Sequence, residues 1–266
     1  MKELTKRVLF AVPAAAIMLY ITWIGGLAFE LFFGAIALLT IWEIHSVWKQ
    51  TDVKDLFFIS MLIAGSVWFF EKLPFWSVMA ISLTVLVFFI ISFFVSRKQF
   101  SKRLFATLFT GIYAPVGFLM IVNIRNMGDT LDGFWLVLSF FLMIWGNDVF
   151  AYFGGKTWGK TPLAPTISPN KTLEGFWFGF LGTAVGFLIA FGIANPYPFP
   201  LWTILPAVIL IGFLGPVGDI TESRLKRMAN VKDSSSILPG HGGFFDRFDS
   251  MILTAPFIYF LFYLLI

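Results

Sequence analysis

Long apolar runs separated by short polar segments dominate the chain. These runs predict nine helices, over residues 8–24, 26–46, 56–71, 74–96, 104–124, 132–153, 172–195, 200–218 and 250–266. Most of them have about 20 residues, the length that crosses a bilayer core of roughly 30 Å. The pattern therefore predicts an all-α, polytopic integral membrane protein.

The composition agrees with this prediction. Hydrophobic residues make up 58% of the 266-residue chain and charged residues only 13%, whereas soluble domains are about 25% charged. In a membrane protein a net charge of +4 reflects the Lys and Arg residues of the loops, which set the topology. We therefore expect no nucleic-acid partner. With no cysteine in the sequence, thiolate catalysis and thiolate metal sites are excluded.

The positions of Lys and Arg predict the topology. If the N-terminus is cytoplasmic, all but Lys72 and Arg125 of the 19 basic residues fall in cytoplasmic loops. Retention of positive loops in the cytoplasm produces such an asymmetry, and it requires an odd number of spans. We expect a multi-pass protein of the inner (plasma) membrane, with a transmembrane region of about five helices over 1–130 and a catalytic region over 131–266.

With that topology, the charged residues of the predicted spans gather at the cytoplasmic face. The residues concerned are Glu43, His45, Asp148, Lys171, Glu174, Asp219, Asp246 and Asp249. Ionisable residues within membrane segments are costly and usually mark a functional site. A site at this face is open to both a charged cytosolic solute and a lipid headgroup.

The polar segment 223–249 is the strongest candidate for chemistry. On a helix, Asp219, Glu222 and Lys226 would share one face, because their spacings are three and four residues. Acids beside lysines are explained if a hard cation lies between carboxylate and phosphate, and magnesium is the first expectation. The alternative is a solvated loop with ordinary salt bridges.

Residues Gly154–Thr161 match the phosphate-loop pattern G-x-x-x-x-G-K-[ST]. That loop works where a strand enters it and a helix leaves it. Here a predicted span precedes the segment and Pro162 follows it, so we do not expect a nucleotide hydrolase.

Two other features have a structural interpretation. Helix seven carries four glycines at spacings typical of close helix packing, Gly175, Gly179, Gly182 and Gly186; the sequence leaves open whether the packing is within or between subunits. The lone Glu30 near the outer part of helix two is expected to pair or to reach the interface.

The segment Ser223–Asp249 resembles the signature of the CDP-diacylglycerol synthases, or phosphatidate cytidylyltransferases. The matching positions are Ser223, Leu225, Lys226, Arg227, Lys232, Asp233, Ser235, Leu238, Pro239, His241, Gly242, Gly243, Phe244, Asp246, Arg247, Phe248 and Asp249. The stretch Asp148–Gly175 is similar to a second element of that family, which often has lysine where this chain has Asn170.

The resemblance implies the reaction of CTP with phosphatidate to give CDP-diacylglycerol and pyrophosphate, dependent on Mg²⁺ and with membrane lipid as partner. It makes Asp219 and Asp246 the first candidate metal ligands, followed by Asp249 and then Asp148, with room for a second cation. Asp219, Asp246, Asp249 and Lys226 form the predicted catalytic set. We also expect a homodimer.

The remaining members of the predicted site would bind substrate. Lys171, Lys226 and Lys232 would hold the triphosphate or the pyrophosphate, and Arg227 and Arg247 the phosphate of phosphatidate. The other predicted contacts are Ser223, Gly242, Gly243 and His241. We interpret His241 as a hydrogen-bond donor or loop organiser, since the reaction needs no proton abstraction.

Two other functions are kept as alternatives. The acceptor could be a different lipid phosphate, such as an ether lipid of the archaeal type. The chain could instead be a transporter, but transporters place polar sites near the midplane between repeats. The charges here gather at one face.

Overall fold

The computed structural model describes residues 3–95, 99–194 and 197–265. Lys2, Arg97 and Lys98 of the charge distribution, and the ends of three predicted helices at residues 96, 195 and 266, lie outside the described residues. Within the described ranges the chain forms nine α-helices, one 3-10 turn and one small antiparallel hairpin. The predicted all-α membrane fold is confirmed.

The elements follow one another as α1 (Glu3–Ile24), α2 (Gly26–Trp48), α3 (Phe57–Trp68), α4 (Phe75–Val95), α5 (Phe100–Arg125), α6 (Thr130–Trp158), β1 (Pro162–Ala164), β2 (Ser168–Thr172), α7 (Leu173–Ile193), a 3-10 turn (Leu201–Thr203), α8 (Ile204–Met228) and α9 (Phe245–Tyr263). Five described helices are long and apolar enough to cross a membrane: α2, α5, α6, α7, and α8 with its preceding turn. By contrast, α3 has 12 residues, which is only about 18 Å of helix. Nine membrane spans and a cytoplasmic N-terminus therefore stay predictions.

The prediction that α8 ends before Asp219 is wrong. The helix continues to Met228, because Leu225 packs in the hydrophobic core and the polar residues Glu222, Ser223 and Lys226 are themselves buried. Likewise α6 continues to Trp158 and α9 begins at Phe245. Charged residues thus lie within the last turns of α8 and the first turns of α9, where helix geometry orients them.

A hairpin that the sequence pattern did not predict connects α6 to α7. Its strands pair Pro162 with Thr172 and Ala164 with Ser168. The hydroxyl of Thr172 then accepts a hydrogen bond from the Gly175 amide at 3.1 Å and caps α7. The hairpin places Lys171 beside Asp219 of α8.

The glycines of α7 pack against α6 within the same chain. A Cβ atom at Gly182 would overlap the backbone of Gly146, and one at Gly186 would overlap the backbone of Leu142. The close-packing interpretation is therefore confirmed, and the contact is internal. The predicted homodimer stays a prediction.

Aromatic packing joins the N-terminal helices to α9. The rings of Phe118 and Phe248 are 5.4 Å apart, and those of Phe33 and Phe118 are 6.1 Å apart. The three phenylalanines come from α5, α9 and α2, so the core crosses the boundary predicted at residue 130. The division into two regions remains a prediction.

Polar contacts at the opposite end of the helices also join elements. Arg125 donates to the carbonyl oxygens of Thr22 at 2.7 Å and Thr130 at 3.0 Å. Glu30 pairs with Lys72, which agrees with the structural role expected of Glu30. These contacts tie α1 to α5 and α2 to the turn after α3.

Candidate active site

A cavity of about 720 Å³ lies where α6 ends and α7 and α9 begin. That volume is within the usual range for small-molecule sites. Its polar lining comes from α6, the hairpin, α8, the loop after it and α9: Asn147, Asp148, Lys156, Ser168, Asn170, Lys171, Thr172, Asp219, Glu222, Ser223, Lys226, Asp233, Asp246, Arg247, Asp249 and Ser250. Of the charged residues expected at one face, Asp148, Lys171, Asp219, Asp246 and Asp249 line this cavity, and the side of the membrane to which it opens stays a prediction.

Three carboxylates converge in the cavity. One oxygen from each of Asp219, Glu222 and Asp249 lies within 4.8 Å of the others. The close approach of α8 and α9 depends on Gly218, because a Cβ there would come within 2.6 Å of the Asp249 carbonyl oxygen. We call Asp219, Glu222 and Asp249 the acid cluster.

Lys226 links the acid cluster to Asp246. Its ammonium lies 2.5 Å from the Glu222 carboxylate and 2.6 Å from Oδ1 of Asp246. Glu222 and Asp246 have side chains only 1% and 3% exposed. A cation is therefore held between two buried carboxylates, and each group offsets the desolvation of its neighbours.

The second oxygen of Asp246 is used by the chain itself. Oδ2 accepts from the Ser234 amide at 2.8 Å, the Ser234 hydroxyl at 2.7 Å and the Gly243 amide at 2.7 Å. Glycine is required at position 242, where φ is +81° and a Cβ would lie 2.7 Å from Asp246 Oδ2. Asp246 thus joins the loop to Lys226, and its predicted role as a metal ligand stays a prediction.

Further predicted residues surround the acid cluster. Asp219 forms an ion pair with Lys171 and accepts a bond from the Ser223 hydroxyl at 3.3 Å. Asp148 and Arg247 line the same cavity. Lys171, Ser223 and Arg247 thus line the same cavity as the acid cluster, and their contact with a phosphate stays a prediction.

Other predicted substrate contacts lie elsewhere. Among the described residues, Arg227, Lys232, His241, Gly242 and Gly243 are not part of the cavity lining. Arg227 donates to the Val231 carbonyl oxygen at 2.9 Å and closes the end of α8. The Nδ1 atom of His241 lies 3.3 Å from the Pro239 carbonyl oxygen. Direct substrate contact by these five residues remains untested.

The segment that matches the phosphate-loop pattern has a different structure. Gly154 belongs to α6, so a helix rather than a strand precedes the loop. The amides of Lys160 and Thr161 donate to the Glu174 carboxylate at 3.0 and 3.2 Å. Backbone groups that would cradle a phosphate are therefore bonded to a carboxylate of the chain.

Glu43 was expected at this face, but its role was not predicted. Its carboxylate is completely buried and accepts hydrogen bonds from the loop before α9, described below. His45, also expected here, instead forms a 2.5 Å hydrogen bond with Asp55 and stacks on Phe57. The sequence does not distinguish the roles of the two residues, because the hydrogen-bond partners of Glu43 lie in a loop far along the chain.

Glu222 and Ser234 were likewise absent from the predicted site. The spacing of Glu222 from Asp219 and Lys226 was the available signal, since it places the three on one helix face. Ser234 carried no comparable signal, because a serine among three consecutive serines is common in loops.

The acid cluster fits a hard divalent cation. All its donor atoms are carboxylate oxygens, which Mg²⁺ and Ca²⁺ prefer, and α8 and α9 hold them within 4.8 Å of one another. Asp219, Glu222 and Asp249 are therefore residues that could hold a metal. The role of Asp148 and Asp246 as further ligands stays a prediction.

Comparisons with known proteins agree with the site. The sequence profile described as "Cytidylyltransferase family" matches residues 5–265. The chain is 35% identical over 271 residues to a phosphatidate cytidylyltransferase of Bacillus subtilis, covering 98% of each chain. It is 32% identical to that of Staphylococcus haemolyticus, covering 95% of this chain and 96% of the relative.

A third relative, the phosphatidate cytidylyltransferase of Brucella abortus, is 30% identical over 97% of this chain and 93% of its own. The similarity therefore extends over nearly the full length, including the N-terminal helices, and is not limited to the signature segments. The chain belongs to the cytidylyltransferase family, whose members are nucleotidyl-transferring enzymes.

Proposed function

We propose that this chain transfers the cytidylyl group of CTP to phosphatidate, giving CDP-diacylglycerol and pyrophosphate. The observation that carries the proposal is the acid cluster, which lies in one cavity with Lys171, Lys226 and Arg247. Carboxylates beside lysine and arginine suit a polyphosphate ligand that binds together with a metal cation, because the acids can hold the cation and the basic groups can hold the phosphates. The relatives that bear the name of this activity support the same reaction.

The chemistry requires positioning more than proton transfer. An oxygen of the phosphatidate phosphate forms a bond to the α-phosphorus of CTP, and the bond from that phosphorus to the β-phosphate oxygen breaks. The nucleophile is already anionic, and pyrophosphate leaves with the bonding electrons. In-line alignment and neutralisation of phosphate charge are therefore the main contributions of the site.

The residues divide these contributions. Asp219, Glu222 and Asp249 would hold Mg²⁺, which when bound neutralises charge on the transferring phosphate. Lys171 is placed to bind the triphosphate, and Arg247 to bind the phosphate of the lipid. Lys226 and Asp246 fix each other across the junction of α8 and α9. A second cation, and direct phosphate contacts from Arg227 and Lys232, are further predictions.

The site also fits access from the membrane. It lies at the ends of helices whose outer surfaces carry large exposed apolar side chains, among them Tyr152, Phe153 and Trp177. We propose that CTP comes from the cytosolic side and that phosphatidate comes from the adjoining leaflet of the plasma membrane.

Purified protein with labelled CTP tests the proposal. With phosphatidate and Mg²⁺ we expect a lipid-linked cytidine product and free pyrophosphate, and with EDTA we expect neither. Asp219→Ala should lose the product, whereas Glu30→Gln, a carboxylate change at the opposite end of the helices, should keep it. Failure of the wild-type protein to label phosphatidate would refute the reaction.

A panel of lipid phosphates separates the alternative acceptor. If an ether-linked lipid phosphate were labelled and phosphatidate were not, the chemistry would stand but the proposed acceptor would be wrong. Uptake of a solute into vesicles without nucleotide turnover would instead favour a transporter.

A further inference from the structure

Both carboxylate oxygens of Glu43 contact hydrogen-bond donors of the segment that leads into α9. Oε1 accepts from the Ser235 hydroxyl at 2.7 Å and the Phe244 amide at 3.0 Å. Oε2 accepts from the Phe245 amide at 2.7 Å and lies 3.1 Å from the Ser234 hydroxyl. Because burying a carboxylate without such partners is costly, these four contacts are strongly favoured.

Glu43 also caps α9 from a different helix. The first amides of a helix lack partners within the helix and attract negative charge. At α9 the N-cap residue is Phe244, which has no side-chain group to accept those bonds. Glu43 of α2 accepts the bonds from Phe244 and Phe245 instead.

Ser234 extends this contact toward the acid cluster. Its hydroxyl lies between Glu43 and Asp246, at 3.1 Å from the first and 2.7 Å from the second. Its single proton is donated to one carboxylate at a time. Asp246 in turn accepts a hydrogen bond from Lys226, and Lys226 forms an ion pair with Glu222. A continuous polar chain therefore runs from α2 to the acid cluster.

The glycine at position 243 is explained by the same contact. A Cβ atom there would lie 2.5 Å from the carboxylate oxygens of Glu43, and the Gly243 amide is bonded to Asp246. This part of the signature segment is shaped to fit against α2, rather than to expose its amides to substrate.

We propose that Glu43 is a positioning residue for the active site, which sets the geometry of Asp246 and Lys226 by anchoring residues 234–245 on α2. Glu43 itself does not line the cavity among the described residues, so it acts through Asp246 and Lys226. The kinetic test of this inference rests on the proposed function, whereas the test by hydrogen–deuterium exchange needs no catalytic turnover.

The kinetic test compares two carboxylates of the same helix. Glu43→Gln keeps the size of the side chain but presents an amide to hydrogen-bond donors, while Glu30→Gln changes a carboxylate at the far end of α2. We expect Glu43→Gln to lower kcat about 100-fold, since small displacements of catalytic groups have effects of that order. The KM for CTP should change by less than about threefold, and Glu30→Gln should match the wild type.

Hydrogen–deuterium exchange gives a readout that needs no turnover. Glu43→Gln should speed exchange at the amides of Phe244 and Phe245, which it bonds directly. It should also speed exchange at Ser234 and Gly243, whose amides bond Asp246. Glu30→Gln should leave all four unchanged. Faster exchange at Phe244 and Phe245 alone would overturn the proposed link to Asp246.

A milder variant covers the case in which Glu43→Gln does not fold. Ser235→Ala removes one bond to Glu43 and none to Asp246, so we expect a three- to tenfold loss of kcat, about what one hydrogen bond contributes. If Glu43→Gln does fold, the losses in the double variant should not multiply, because both changes disturb the same contact. Normal kcat and exchange in Ser235→Ala would overturn the proposal, as would fully multiplicative losses.

The proposed function and this inference can fail separately. If the wild-type protein labels no lipid phosphate, the reaction is refuted, and the exchange experiment still decides whether Glu43 anchors the loop. If the reaction occurs and Glu43→Gln retains the kcat of Glu30→Gln, only the positioning role is refuted.

Discussion

Replacing Lys226 by methionine tests the central polar contact of the site. The change keeps the length of the side chain but leaves Glu222 and Asp246 as neighbouring buried carboxylates without their shared cation. The Lys226 side chain is 11% exposed and those of its two partners 1% and 3%, so little water is available to replace it. We expect lower stability as well as loss of activity.

The magnitude follows from the burial of the partners. Removing one member of a buried ion pair costs about 3–5 kcal/mol, which is roughly a hundredfold to four-thousandfold in the folding equilibrium. The double variant Lys226→Met, Glu222→Gln should recover part of that loss, because one uncompensated charge is removed. Lys232→Met, at an exposed position on the following loop, should have no such effect.

The assay is thermal or denaturant unfolding of purified protein in one detergent, followed by intrinsic tryptophan fluorescence. We expect the unfolding midpoint to fall in the order wild type, double variant, single variant. Equal midpoints for Lys226→Met and Lys232→Met would refute the reasoning. So would a double variant that is less stable than the single one.

Three other predictions follow from separate contacts. Gly218→Ala should separate α8 from Asp249 and reduce product formation at least tenfold. The control Gly192→Ala, where a Cβ meets open space, should keep full turnover and raise the stability of the folded state by up to about 1 kcal/mol. Burial raises the pKa of Asp55, and its hydrogen bond to His45 opposes that shift in part. The folded state therefore holds this proton to higher pH than the unfolded state, so the stability that it contributes below about pH 4 is lost as the pH rises. The unfolding midpoint should consequently fall less steeply with pH in Asp55→Asn than in the wild type. The exposed pair of Glu30 with Lys72 should contribute at most about 1 kcal/mol, and an unfolding midpoint for Glu30→Gln far below the wild type would contradict this.

The sequence predicted the helical membrane fold because apolar runs of spanning length leave few other possibilities. It failed at α8, where the first charged residue, Asp219, was interpreted as the end of the helix. A helix that lines a cavity can continue with charges on one face, and the apolar positions between them are the only sign. The hairpin before α7 was missed for a related reason, since its short strands contain two prolines and little hydrophobic alternation.

The sequence predicted which residues belong to the candidate site better than it predicted which of them contact one another. Asp219 and Asp249 converge in the acid cluster, and Lys171 pairs with Asp219, because α8, α9 and the hairpin meet at one cavity. Glu222 joins Asp219 and Asp249 in the acid cluster, whereas Asp246 accepts hydrogen bonds from Ser234 and Gly243, and metal binding by Asp246 stays a prediction. Local spacing indicates which residues share a face, but it does not indicate which of them a folded loop will bond.

The bonds of Glu43 to the loop before α9 join residues about 200 positions apart in the chain. During translation, α2 therefore leaves the ribosome and enters the bilayer long before its partners are synthesised. Until they arrive, its carboxylate has to stay hydrated at the membrane surface. Assembly of the mature fold is then what withdraws it from water, and the same step brings Asp249 of α9 to the acids of α8.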